Sequence, residues 1–92
     1  MAANLVGTTI SGRYRIDEHM RDGRFGDFWK ATRLADGQTV AVKMLKPEHR
    51  GNDTARRDLE FETALLRGLS HRHLPKLFAM GSFQSRLFVV SQ

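Results

Sequence analysis

The sequence predicts an α+β fold, a small five-stranded antiparallel sheet with one major helix on one face, in the chain order β-β-β-α-β-β. Three observations carry that expectation. Short runs alternate between apolar and polar residues, a turn signal joins two of them, and one long helix-forming run follows the clearest break in the chain. From Arg13 to Met20, Tyr14, Ile16 and Met20 share one face while Arg13, Arg15 and Asp17 share the other, the pattern of a half-buried strand. Gly26 to Leu34 reads as a second strand, and Ala35-Asp36-Gly37-Gln38 turns the chain into a third, Thr39 to Leu45, which Pro47 ends. After Gly51-Asn52-Asp53 the helix runs from about Thr54 to Leu69, with Asn52, Asp53 or Thr54 as its N-cap. Lys76 to Phe83 and Arg86 to Ser91 supply the last two strands.

Composition bounds what such a domain can do. A chain of 92 residues is one domain near the lower end of what folds alone, so its core is modest. It has no cysteine, which removes disulfides and thiolate zinc sites and fits a reducing compartment. The longest apolar run is Leu87-Phe88-Val89-Val90, far short of a membrane span, and no apolar signal core opens the chain. A soluble, cytoplasmic domain is the expectation. The net charge of +5 invites a nucleic-acid reading, but the basic residues are scattered among acids and no aromatic platform stands among them, so no nucleic-acid partner is expected. A nucleoside phosphate would equally welcome the positive field.

Two residues sit where their chemistry is costly. In the helix the apolar stripe Leu59, Leu65, Leu66 and Leu69 encloses Glu62, whereas Glu60 shares the polar face with Arg56, Arg57 and Arg67. A carboxylate on a core-facing stripe needs a cation. In Val40-Ala41-Val42-Lys43-Met44 the period of two sets Lys43 with Ala41, away from Val40, Val42 and Met44, and leaves a lone charge in an apolar strand. Pairing Lys43 with Glu62 accounts for both.

The stretch "HMRDGRFGDFWKA" adds Gly23 and Gly26, three apart, which serve either a plain hairpin turn at Asp22-Gly23 or a loop that lets backbone approach a phosphate. Taken with "VAVK" at 40–43, Glu62 and "LSHRHLPKL" after the helix, the chain resembles the N-terminal lobe of a eukaryotic-like protein Ser/Thr kinase of the kind common in bacteria. The match runs from about Gly12 to Gln92, so residues 1–11 form an N-terminal extension and 12–92 the lobe, ending at the hinge. The resemblance implies ATP as the bound cofactor, with magnesium in the complete enzyme. By the family pattern Lys43 holds the α- and β-phosphates and Glu62 orients it. Ala41 leaves room for adenine, Ser91 guards the back of the pocket, and Gln92 opens the hinge.

The glycine loop departs from the family's Gly-x-Gly-x-x-Gly-x-Val, since Arg21, Gly23, Gly26 and Phe28 stand at its four positions. Phe28 can stack on the base or block it, and Arg21 can point to solvent or to the ligand. His71 and His73 lack further ligands and read as structural, and Trp29, Phe61, Phe78 and Phe88 read as core or helix-packing residues. The family's catalytic-loop Asp and Asn and its Asp-Phe-Gly motif are not among these residues, so the chain by itself is expected to be inactive. A protein substrate and a C-terminal lobe are the partners the resemblance implies. Leu74, Leu77 and the Leu87 to Val90 strand read as bare apolar surface that favours self-association. The other function in view is a non-catalytic, pseudokinase-like module that binds a protein partner.

Overall fold

The computed structural model describes residues 4–68 and 77–92. Among the described residues six strands form one antiparallel sheet: β1 (Thr9–Ile10), β2 (Tyr14–Asp22), β3 (Gly26–Arg33), β4 (Thr39–Leu45), β5 (Leu77–Phe83) and β6 (Arg86–Ser91). Their spatial order is β1-β2-β3-β4-β6-β5. A short 3-10 helix, Pro47–His49, and the helix α1, Asp53–Gly68, intervene between β4 and β5. The α+β class and the element order hold, with six strands rather than five. The extra one is β1, a two-residue strand pairing Thr9 with Arg15 and Ile10 with Tyr14. Two residues are too few to show a period in sequence.

Alternation along β3 and β4 sorts side chains cleanly onto two faces. Trp29, Ala31, Val40, Val42 and Met44 turn inward and join Leu5, Ile10, Tyr14, Ile16, Phe88 and Val90 in the main core. The opposite face carries Phe28, Lys30, Ala41 and Lys43, and at its far end Leu45, Leu87 and Val89 pack with Ala55 and Leu59 of α1 in a second cluster. The helix begins where Asn52 accepts a hydrogen bond from the Ala55 amide at 3.2 Å, which selects Asn52 as the N-cap. Within α1 the Thr63 hydroxyl donates to the Leu59 carbonyl at 2.7 Å, which lets a polar side chain be buried on the helix.

Several expected placements differ. Two bulges interrupt β2, one between Ile16 and Glu18 and one between His19 and Arg21, leaving Asp17 and Met20 as extra residues. Each bulge shifts the alternation by one, so the inward row of β2 is Tyr14, Ile16, His19 and Asp22, and Met20 is 60% exposed rather than buried. Phe61 is 67% exposed, on the solvent side of α1, and is not a packing residue. Leu87 to Val90 are all buried, because β6 lies between β4 and β5 instead of at an edge, so this strand offers no bare patch for self-association. Leu69, His71, His73, Leu74 and the segment 69–76 of "LSHRHLPKL" lie outside the described residues, as do the side chains of Leu65, Leu66 and Arg67.

One buried charge braces this corner. Arg86 is almost fully enclosed, and its Nε–H donates to the Leu45 carbonyl at 2.7 Å, tying the start of β6 to the end of β4. Burial holds its guanidinium below the ordinary arginine range, opposed by the charge of Asp27.

Candidate functional site

The register places the expected site residues on one face of the sheet. Arg21 pairs with Phe28, Phe28 with Lys43, and Lys43 with Val89, giving a row that crosses four strands at right angles to the chain. A neighbouring row runs Lys30, Ala41, Ser91 and Leu77. Lys43, Ala41, Ser91, Phe28 and Arg21 are thereby brought together. Gly23 and Gly26 sit at the hairpin between β2 and β3, next to the end of the first row.

Lys43 and Glu62 meet as the sequence predicts. Lys43 Nζ lies 2.8 Å from Glu62 Oε2 across the gap between β4 and α1. The pair is not a core ion pair, however: the Glu62 side chain is 54% exposed and that of Lys43 27%. Glu62 therefore stands at the mouth of the gap instead of on a fully buried stripe, and its cost there is correspondingly small. Glu60 bonds Arg56 at 2.9 Å on the polar face, as expected. Phe28 underlies both cations of the row, with Lys43 Nζ 5.0 Å and Arg21 Cζ 4.3 Å from its ring centre. Arg21 thus folds over Phe28 on the site face.

The two glycines answer to close backbone packing. The Gly23 amide donates to the Gly26 carbonyl at 2.8 Å, closing the hairpin. A Cβ on Gly23 would lie 2.7 Å from that same carbonyl oxygen, and one on Gly26 would lie 2.7 Å from the Met44 carbonyl oxygen of β4. Neither has positive φ, so what these positions require is the missing side chain. Between them Phe25 packs against the cluster of Leu45, Ala55 and Leu59 and meets the His49 ring edge-on at 5.2 Å, while its carbonyl accepts from the Lys46 amide at 2.8 Å. The loop tip is thereby drawn down toward α1.

Loop, strand and helix enclose a cavity of about 220 Å³ lined among others by Gly23, Phe25, Gly26, Lys43, Leu59 and Glu62. Its lining sets the cations Lys43 and Arg24 against the carboxylates Asp58 and Glu62, beside backbone that carries no side chain and over an apolar floor. Arg24 stacks 4.9 Å over Phe25. Arg24 and Phe25 were not singled out from the sequence, and the signal that could have found them is their position between the two glycines.

On the inward face of the same hairpin lies a second cluster. Asp27 is 1% exposed, and among the described residues no N–H or hydroxyl donor reaches its carboxylate oxygens, which face the Asp22 carboxyl. Burial pushes its carboxyl above the ordinary aspartate range, reinforced by the neighbouring Asp22, whose own carboxyl is held low. Lys46 Nζ stands 3.9 Å from Asp27 Oδ1.

Comparison with known proteins identifies the family of the chain. The family profile described as protein tyrosine and serine/threonine kinase matches residues 14–92. CBL-interacting protein kinase 30 of Oryza sativa subsp. japonica is 29% identical over 90% of this chain, and LIM domain kinase 1 of Drosophila melanogaster 32% over 84%. Serine/threonine-protein kinase PknA of Mycobacterium tuberculosis is 46% identical over 47% of the chain. The chain spans 17%, 6% and 10% of those three proteins, respectively. The crystal structure of the Mycobacterium tuberculosis PknI kinase domain, in a double-mutant form, superposes over 98% of this chain with a TM-score of 0.74 and 23% identity, covering 35% of that domain. Among the described residues no helix is long and apolar enough to cross a membrane. A sheet of this topology with one helix laid across it, and a profile match over all but the first strand, make this chain a member of the protein tyrosine and serine/threonine kinase family.

Proposed function

We propose that this chain is the ATP-binding N-terminal lobe of a protein Ser/Thr kinase. The observation that carries the proposal is the Lys43–Glu62 contact of 2.8 Å beside the glycine hairpin. Phosphoryl transfer relies on positioning and charge neutralisation, and a lysine held by a carboxylate presents its ammonium at a fixed point to the α- and β-phosphates. Ala41 and Ser91, adjacent in register, border the space for the base, and Gly23 and Gly26 cover the phosphates. Magnesium would arrive with the nucleotide. Its protein ligands and the catalytic base belong to the family's C-terminal lobe, with which this lobe would close on a protein substrate.

Affinity for nucleotide in this chain should be weak. The cavity of about 220 Å³ is smaller than the roughly 300–1,000 Å³ of most small-molecule sites and walls one side of a ligand. The test is equilibrium binding of ATP with magnesium, together with phosphate transfer to a generic Ser/Thr substrate, beside Lys43→Ala. Weak binding lost in Lys43→Ala, without turnover, is the expected result. Turnover that disappears in the variant would contradict the assignment of the catalytic base to another lobe.

A second reading rests on Arg21, whose guanidinium covers the Phe28 ring where the base would stack. It makes the chain a non-catalytic module that uses the fold to bind a protein. Indifference to nucleotide in both the parent and an Arg21→Gly variant would favour it.

A further inference from the structure

The inward face of the glycine hairpin holds three metal-ligating side chains that no part of the nucleotide reading uses. His19, Asp22 and Asp27 each offer a ligand atom, and these atoms all lie within 4.8 Å of one another. Their meeting is a product of the second β2 bulge. In a regular strand His19 and Asp22, three apart, would face opposite ways, and the extra residue Met20 brings both to the inward side, where Asp22 pairs with Asp27 across the hairpin. Asp27 is then almost fully buried, and among the described residues no N–H or hydroxyl donor reaches either of its oxygens, whose neighbour across the hairpin is the Asp22 carboxyl. Lys46, at 3.9 Å, is too far to hydrogen-bond, and Arg86 feels the Asp27 charge while giving its Nε–H to Leu45.

We propose that His19, Asp22 and Asp27 form a binding site for a divalent first-row metal ion such as Zn²⁺, clipped across the base of the glycine hairpin. One imidazole nitrogen and two carboxylates make a three-ligand set with room for water, the donor type that suits Zn²⁺. Bonds of about 2.0–2.2 Å require the ligand atoms to approach to about 3.3–4.3 Å. His19 and Asp22 are exposed, and by giving up their mutual contact they can close on an ion beside the buried Asp27. The ion replaces the His19 Nε2 to Asp22 Oδ1 contact of 3.0 Å and sets a further positive charge beside the buried Asp27 carboxyl, closer than Lys46. It lies on the opposite face of β3 from Phe28, so it is independent of the nucleotide site and of the reading proposed for it.

The chain carries its own reporter. Trp29, the one tryptophan, meets the His19 ring edge-on at 4.8 Å. Co²⁺, in nucleotide-free buffer, should quench Trp29 fluorescence saturably, with reversal by EDTA and competition by Zn²⁺. Asp27→Asn should abolish the effect, and His19→Gln should weaken it by about tenfold or more. Lys46→Met, which removes the competing ammonium, should tighten it. His19 is exposed, so His19→Gln keeps the fold, checked by circular dichroism, and decides the matter alone should Asp27→Asn fail to fold. Non-saturating quenching, or saturable binding that His19→Gln leaves unchanged, overturns the proposal.

Discussion

Lys43 carries its charge between two partners of different kinds, the Glu62 carboxylate at 2.8 Å and the face of Phe28 at 5.0 Å. Both keep the ammonium in place, and neither buries it. An ion pair this exposed contributes at most about 1 kcal/mol to folding. Glu62→Gln should therefore shift the urea unfolding free energy by less than about 1 kcal/mol while weakening ATP binding, and a large loss of stability would show that the pair holds the lobe together rather than the ligand. The pair was legible in sequence because each residue was anomalous on its own element and the two anomalies had opposite charge. Glu62 turned out half-exposed, because helical spacing gives the face of a residue but not how far the sheet reaches across it. Phe61 misled for a related reason, since an aromatic on a helix says nothing of which side is covered.

At the scale of elements, the hairpins carry the measurable consequences. Gly26 has the Met44 carbonyl oxygen 2.7 Å from where a Cβ would stand, so Gly26→Ala must part β3 from β4. A loss of about 1–3 kcal/mol is expected in urea unfolding. Gly51, with open space around it and no positive φ, should accept alanine with little change. The turn between β3 and β4 gives a pH dependence. Arg33 and the Gln38 amide hold the Asp36 carboxyl at about 2, below the model-peptide value of 3.8. A depressed carboxyl stabilises the fold above its unfolded pKa, so this contribution is complete above pH of about 4 and fades as pH falls toward about 2. Asp36→Asn should flatten the acid side of the stability profile in that window, and an unchanged profile would place the acid sensitivity elsewhere. This turn was readable from Asp36-Gly37, because turn chemistry is local. The β2 bulges were not, since nothing in His19-Met20-Arg21 distinguishes a strand that continues from one that gains a residue, and the register with β3 decides it. The His19, Asp22 and Asp27 cluster escaped the sequence for the same reason.

For the whole molecule, the sheet divides labour between its faces. One encloses the main core; the other holds Arg21, Phe28, Lys43, Ala41 and Ser91 in adjacent rows with α1 closing one end. That division followed from the period of two in Thr39–Leu45, which is why the strand order along the chain and the site face could both be anticipated. The place of β6 inside the sheet could not, because a crossover is a long-range choice that local pattern does not record, and it turned the expected bare apolar surface of Leu87 to Val90 into core. The most direct test of the site is to titrate the isotope-labelled chain with ATP and magnesium and follow its amide resonances. Shifts concentrated at Gly23, Gly26, Phe28, Ala41, Lys43 and Ser91, and absent in Lys43→Ala, are the expected result. Shifts scattered over the surface, or centred away from that face and unaffected by Lys43→Ala, would contradict it.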